Sequence, residues 1–222
     1  VAPVIPVVGF TAWREGFLAA LHEGSDSLVE CGTCTACCRS GQFVHISPDE
    51  TEALAAIPAE LRFPAPGMPP GHVVLGYDEQ GRCPMLGEAG CTIYEHRPRT
   101  CRVYDCRVFA AAGVEPDEDQ PLIRERVAAW RFEPADAEDA AAQRAATTAA
   151  AALVTWRHRR SGDGSVRVPR TALQVAVRAV ELAPAFAGDA APDDEELADL
   201  LRAEEEVARR TRSRPARRRP SA

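Results

Sequence analysis

Cys31-Gly32-Thr33-Cys34-Thr35-Ala36-Cys37-Cys38 is the stretch on which the reading of this 222-residue chain turns. Half of the eight cysteines stand in these eight residues, and Cys83, Cys91, Cys101 and Cys106 follow at wider intervals. None lies outside residues 31–106. Thiolates at i, i+3 and i+6 can wrap one metal centre, because the Gly, Thr and Ala between them let the backbone curl and its N–H groups point at sulfur. The doublet Cys37-Cys38 adds a constraint. Neighbouring side chains diverge, so the pair implies two centres, one polynuclear cluster, or one ligand beside one free thiol.

The C-x2-C-x2-C run has the spacing of bacterial ferredoxins, in which a remote Cys-Pro supplies a further ligand to a [4Fe–4S] cluster. Cys83-Pro84 suits that remote role. Zinc is the close alternative, since two tetrahedral sites of four cysteines would use all eight thiols. A cytoplasmic location is expected, and there a dense cysteine pattern points to metal or redox chemistry rather than disulfides.

Outward from the cysteines, composition narrows the classes. The hydrophobic fraction of 45% fits a globular protein of one ordinary domain plus an appendage. There is no lysine, and the surplus of arginine and alanine reads as coding bias. Residues 1–108 carry 8 Arg against 13 acids, residues 109–208 carry 11 against 20, and residues 209–222 carry 7 Arg and no acid. An acidic body argues against a nucleic-acid-binding main surface, leaving only weak contact through the Arg tail. No apolar run approaches ~18 residues, so no membrane span is expected. The opening V-A-P-V-I-P-V-V-G-F is short, holds two prolines and lacks the basic start of a signal peptide.

The fold class expected is α+β and helix-rich: a small cysteine-rich metal-binding domain with a short β-hairpin, followed by an α-helical region. Residues 1–27 hold an amphipathic helix over 11–23 packing on the core, ended by Gly24. Residues 28–108 are the cysteine-cluster domain. Within it, Ser47-Pro48-Asp49-Glu50 reads as a helix start with a capping box, and the proline-rich 58–72 as loop. Val73–Tyr77 reads as a strand paired with Arg82–Leu86, with Cys91–Tyr94 as a third. A helical turn is expected around Arg99–Arg107. Residues 109–210 read as alanine-rich helices: one through Leu122 and Trp130, one over 135–160, one through Leu173 to Val180, and one from Asp193. Residues 211–222 read as a basic disordered tail.

Three blocks together, C-G-T-C-T-A-C-C, R-C-P-M-L and G-C-T-I-Y-E-H-R-P-R-T-C-R-V-Y-D-C, resemble the CxxCxxCC (YkgJ-like) family of zinc- or iron-chelating domains. The likeness covers roughly residues 28–108 and includes all eight cysteines. It implies metal binding through Cys31, Cys34, Cys37, Cys38, Cys83, Cys91, Cys101 and Cys106. A subgroup is similar to flagellin lysine N-methylases, which pair such a cluster with S-adenosylmethionine; nothing in residues 109–222 carries that activity over. The C-x3-C-x2-C motif of radical S-adenosylmethionine enzymes, G-x-G-x-x-G and the P-loop are all missing from the sequence.

Arg97, Arg102 and Tyr104 lie inside the matching blocks. The arginines can offset thiolate charge or hold an anionic substrate, while the plainer reading pairs Arg97 with a surface acid and packs Tyr94 and Tyr104 with their hydroxyls satisfied. His45 and His96 are candidate ligands or proton carriers, weighed against a bystander role. Asp105 is a candidate base or a turn cap. The functional classes are therefore a metal or iron–sulfur chelating module, a protein-modifying enzyme similar to the lysine N-methylases, and a structural zinc module whose C-terminal helices meet a protein partner.

Overall fold

A computed structural model describes residues 4–23, 25–27, 29, 31–159, 166, 169–188 and 190–212, with the side chains of 204, 205 and 207–212 left aside. The expected ends at Gly24 and Gly162-Asp163-Gly164, and the tail from residue 213, lie outside the described residues. The first elements are β1 (Ile5–Val8), α1 (Phe10–Glu23), β2 (Val44–Ile46), α2 (Thr51–Ala56), β3 (Arg62–Pro64) and β4 (Val73–Leu75). A tiny hairpin, β5 (Leu86–Gly87) and β6 (Gly90–Cys91), and α3 (Arg99–Val103) follow. The remainder is α4 (Arg107–Ala112), α5 (Pro121–Ala129), β7 (Trp130–Glu133), α6 (Ala137–Arg159), α7 (Ala172–Leu182) and α8 (Asp194–Arg212). The fold is α+β and helix-rich. Among the described residues no helix is long and apolar enough to cross a membrane.

The described residues form two compact units, and one of them holds 4–23, 106–118 and the described residues between 124 and 212. Its axis is α6, packed on α7 and α4. Ala145, Ala146, Ala149 and Ala150 on α6 and Ala176 and Ala179 on α7 are buried, so alanine makes the contact surface. Small side chains let helices approach closely without leaving voids, which gives the alanine surplus a structural use beyond codon bias. The apolar opening of the chain forms β1, paired parallel with β7 from Ile5↔Trp130 to Val8↔Glu133. Phe10, Trp13, Phe17 and Phe132 pack beside it, with Trp13 stacked on Phe17 at 5.2 Å and edge-on to Phe132 at 5.1 Å. Trp130, expected on a helix, starts β7 instead. Its neighbours alternate buried and exposed with the period of a strand.

Two buried acids organise this unit. Glu181 meets His22 at 3.0 Å and Arg178 at 2.6 Å, while Arg14 donates to the carbonyls of Val180 and Glu181. Asp139 accepts from the backbone N–H of Phe10 at 2.8 Å, Thr11 at 2.7 Å and Ala135 at 3.1 Å. Phe10 and Thr11 open α1, whose first N–H groups have no partner within the helix. A carboxylate 129 residues away in sequence thus caps it, and the helix dipole favours that charge.

The second unit holds the described residues between 25 and 105, together with 119–123. Its core is Val44, Ile46, Ala53, Ile57, Leu75 and Ile93. The sheet order is β2-β4-β3, all antiparallel. The expected partner of β4 was Arg82–Leu86; the structure pairs it with β2 and with β3, inside the proline-rich 58–72. Pro64 stands at the end of an edge strand, where a missing N–H costs no ladder bond. The capping box at Ser47 is also half-made. Glu50 Oε2 accepts from Ser47 N at 2.8 Å, but α2 starts at Thr51 with Glu50 as N-cap and no side-chain cap. Glu50 Oε1 accepts instead from Arg99 N, tying α2 to the start of α3.

Candidate metal centre

The first cysteine block is a chain of tight turns. Cys34 N donates to Cys31 O at 2.9 Å, and a 3-10 turn over Cys37–Arg39 carries the doublet. Two backbone bonds fasten this block to the second: Cys83 N to Cys38 O at 2.7 Å, and Gly41 N to Gly81 O at 2.9 Å. The approach is close enough that a Cβ at Gly81, where φ is +74°, would stand 3.3 Å from Gly41 N. Glycine meets both demands.

Beyond Cys83 the chain turns back through β5 and β6, where Leu86 faces Cys91, and Thr92 N closes the loop onto Met85 O at 2.9 Å. Cys101 lies in α3, which Pro98 precedes. Cys83, Cys91 and Cys101 pack against the core of this unit. Of the three expected strands, Val73–Tyr77 is present as β4, while Arg82–Leu86 and Cys91–Tyr94 reduce to the two-residue strands β5 and β6, because the bonds of the Cys83 segment go to Cys38 and to its own turn.

None of the eight cysteines, all of them among the described residues, is in a disulfide. Burial pushes the Cys101 thiol up to about 12; negative charge at Cys37, Cys83 and Cys91 adds to the shift, and the Arg97 guanidinium opposes it. Cys83 is raised by burial first and then by Cys91 and Cys37. Cys37 is raised most by its contact with the Cys38 thiol, at 3.9 Å. Cys37 reaches solvent, so the thiol contact rather than burial is the cause that counts there. Cys101 therefore feels the charge of Cys37, Cys83 and Cys91, and Cys83 that of Cys91 and Cys37, so thiolates at those neighbours oppose ionising Cys83 or Cys101. A soft cation reverses that balance, since it holds thiolates and releases their protons.

The donor set fits such a cation. Thiolates suit zinc and iron–sulfur centres, and the buried Arg97 Nε has no hydrogen-bond partner among the described residues. The guanidinium also lies 3.6 Å over the Tyr94 ring, so Arg97 is held by an aromatic face rather than by a surface acid. Among the described residues no three His, Cys, Asp or Glu side chains already converge at metal-binding distance.

The other candidates fall out as follows. Cys31 is exposed and Cys34 half-buried, on the turn before the doublet. Cys106 belongs to the helical unit, at the N-cap of α4, and its sulfur accepts from Trp130 Nε1 at 3.2 Å. Arg102 pairs with Asp26 at 3.0 Å. Tyr104 ends α3. The buried Asp105 accepts from Ser27 Oγ at 3.0 Å, and His96 is exposed, 3.6 Å from Glu52. His45 Nε2 meets His72 Nδ1 at 3.0 Å. Burial first, then His72, lowers the His45 pKa, with Glu50 acting against them. His72 carried no signal in the sequence, because its spacing to His45 falls in no motif.

With that geometry in view, comparison with known families is decisive for the segment. Residues 30–118 match the CxxCxxCC family. Its description is "Putative zinc- or iron-chelating domain", and the match covers less than half of the chain. The CxxCxxCC segment spans Cys31 to Cys106 and so contains every cysteine. No curated protein and no solved structure matches the chain.

Proposed function

We propose that the CxxCxxCC segment is a metal-carrying module whose thiolates hold a [4Fe–4S] cluster. The observation that carries this reading is the bond from Cys83 N to Cys38 O at 2.7 Å. It sets the remote Cys-Pro against the C-x2-C-x2-C run, the two parts from which ferredoxin-type ligation is assembled. Cys31, Cys34, Cys37 and Cys83 are the ligands this reading draws from the two blocks. Arg97 supplies positive charge beside Cys101, as expected around a centre rich in thiolate. When bound, a cluster of this kind supplies one-electron transfer or an iron site; the chain supplies the sulfur ligands, the apolar backing and the guanidinium.

Zinc is the second reading, and a specific observation favours it. Cys101 senses charge at Cys37, Cys83 and Cys91, and Cys83 senses Cys91 and Cys37; these are four cysteines, which suffice for a closed tetrahedral site. The two readings name different ligands. Cys34→Ser and Cys91→Ser, each purified anaerobically and assayed for iron, sulfide and zinc, separate them. The cluster reading expects the greater loss of metal with Cys34→Ser, and the zinc reading with Cys91→Ser. Full metal content in both variants would sink both.

A further inference from the structure

We propose that His45 Nε2 and His72 Nδ1 form a second, thiol-free chelating site for a borderline divalent cation such as zinc, nickel or copper. The backbone brings them together. His45 lies opposite Val74 in the β2–β4 pairing, and His72 is two residues before Val74. Side chains two apart on a strand share a face, and the diagonal i, j±2 neighbour is within reach of a long side chain. Val44 and Ile46, which flank His45, are buried in the core, so His45 projects from the opposite face.

The ring geometry is that of two donors aimed at each other. The centroids are 5.1 Å apart with planes inclined by only 16°, and the nitrogens are 3.0 Å apart. The nitrogen gap accounts for most of the centroid gap, so the rings meet edge to edge rather than face to face. Two nitrogens bound to one ion at about 2.0–2.1 Å stand about 2.9 Å apart at a right angle and about 3.3 Å apart at the tetrahedral angle. The observed separation lies within that range, and turning each ring by roughly 40° about its position lets a cation beside the N–N line replace the shared proton.

The supports are in place without metal. Ala65 N donates to His72 O at 3.0 Å and His72 N to Pro69 O at 3.3 Å, while Thr100 Oγ1 donates to His45 O at 2.7 Å. Imidazole suits these cations, and both side chains are partly exposed, which leaves the other coordination positions to water or a small anion.

The test is zinc titration of the full chain with its cysteine metal already loaded, followed by the side-chain 15N resonances of histidine. One added equivalent is expected to shift His45 Nε2 and His72 Nδ1 together while His96 stays unmoved. His72→Gln, a change outside the strands, is expected to abolish the shift at His45 while the backbone amide spectrum stays that of the folded protein. A shift confined to one ring, shifts at the opposite ring nitrogens, or a His45 shift that survives His72→Gln would overturn the assignment. The readout does not depend on which metal the thiols hold.

Discussion

Replacing Asp139 by Asn tests whether one carboxylate caps α1 across the helical unit. Burial would raise the Asp139 pKa, but hydrogen bonds from the Thr11 side chain and backbone, Phe10 and Ala135 outweigh it and hold the carboxyl down to about 2. Against an unfolded value of 3.8, that depression corresponds to about 2 kcal/mol of folding stability. The sign follows from the depressed folded value: the contribution is complete above the unfolded pKa and is lost as pH falls through the folded one. Asn keeps a single acceptor and turns an NH2 group towards backbone donors. Urea unfolding followed by circular dichroism should show Asp139→Asn less stable by about 2 kcal/mol at pH 7. Roughly half of that difference should remain at pH 3. Equal stability at pH 7, or a difference that does not shrink between pH 5 and pH 3, would refute the capping argument.

The remaining predictions concern single side chains. Cys106→Ser should keep the metal content of the protein and change Trp130 emission, because its sulfur accepts from the indole N–H; loss of metal would make Cys106 a ligand. Gly113→Ala should lower stability by about 1–2 kcal/mol in thermal or urea unfolding. Gly113 caps α4 at φ +64°, and a Cβ there would come within 3.2 Å of Thr147 Cγ2. Thr171→Ala should lower stability by about 1 kcal/mol, since the Thr171–Gln174 capping box opens α7; an unchanged urea midpoint would contradict it.

The parts legible in the sequence were those written in local periodicity. The helix over 11–23 appears as Phe10–Glu23, the long alanine helix as Ala137–Arg159, and the one closed by Pro184 as Ala172–Leu182. What escaped were pairings between distant segments. The Ile5–Val8 strand is recognisable only once Trp130–Glu133 is known to lie beside it. The Arg62–Pro64 strand hides among prolines and is fixed by β4. At the site, cysteine spacing named the thiols, but spacing cannot say which of them meet. The charge of Cys37 felt at Cys83 and Cys101 depends on the backbone bond between Cys38 and Cys83. Asp139 and His72 gave no signal, because an isolated acid or histidine acquires meaning only from a partner far along the chain.

The proposed iron–sulfur cluster of the cysteine segment is open to direct chemical test. The most direct measurement is iron, zinc and acid-labile sulfide analysis of anaerobically purified protein, together with its absorption spectrum. The account predicts a brown protein with iron and sulfide in equal amounts and broad absorption near ~400 nm. Colourless protein with stoichiometric zinc and no sulfide would contradict it.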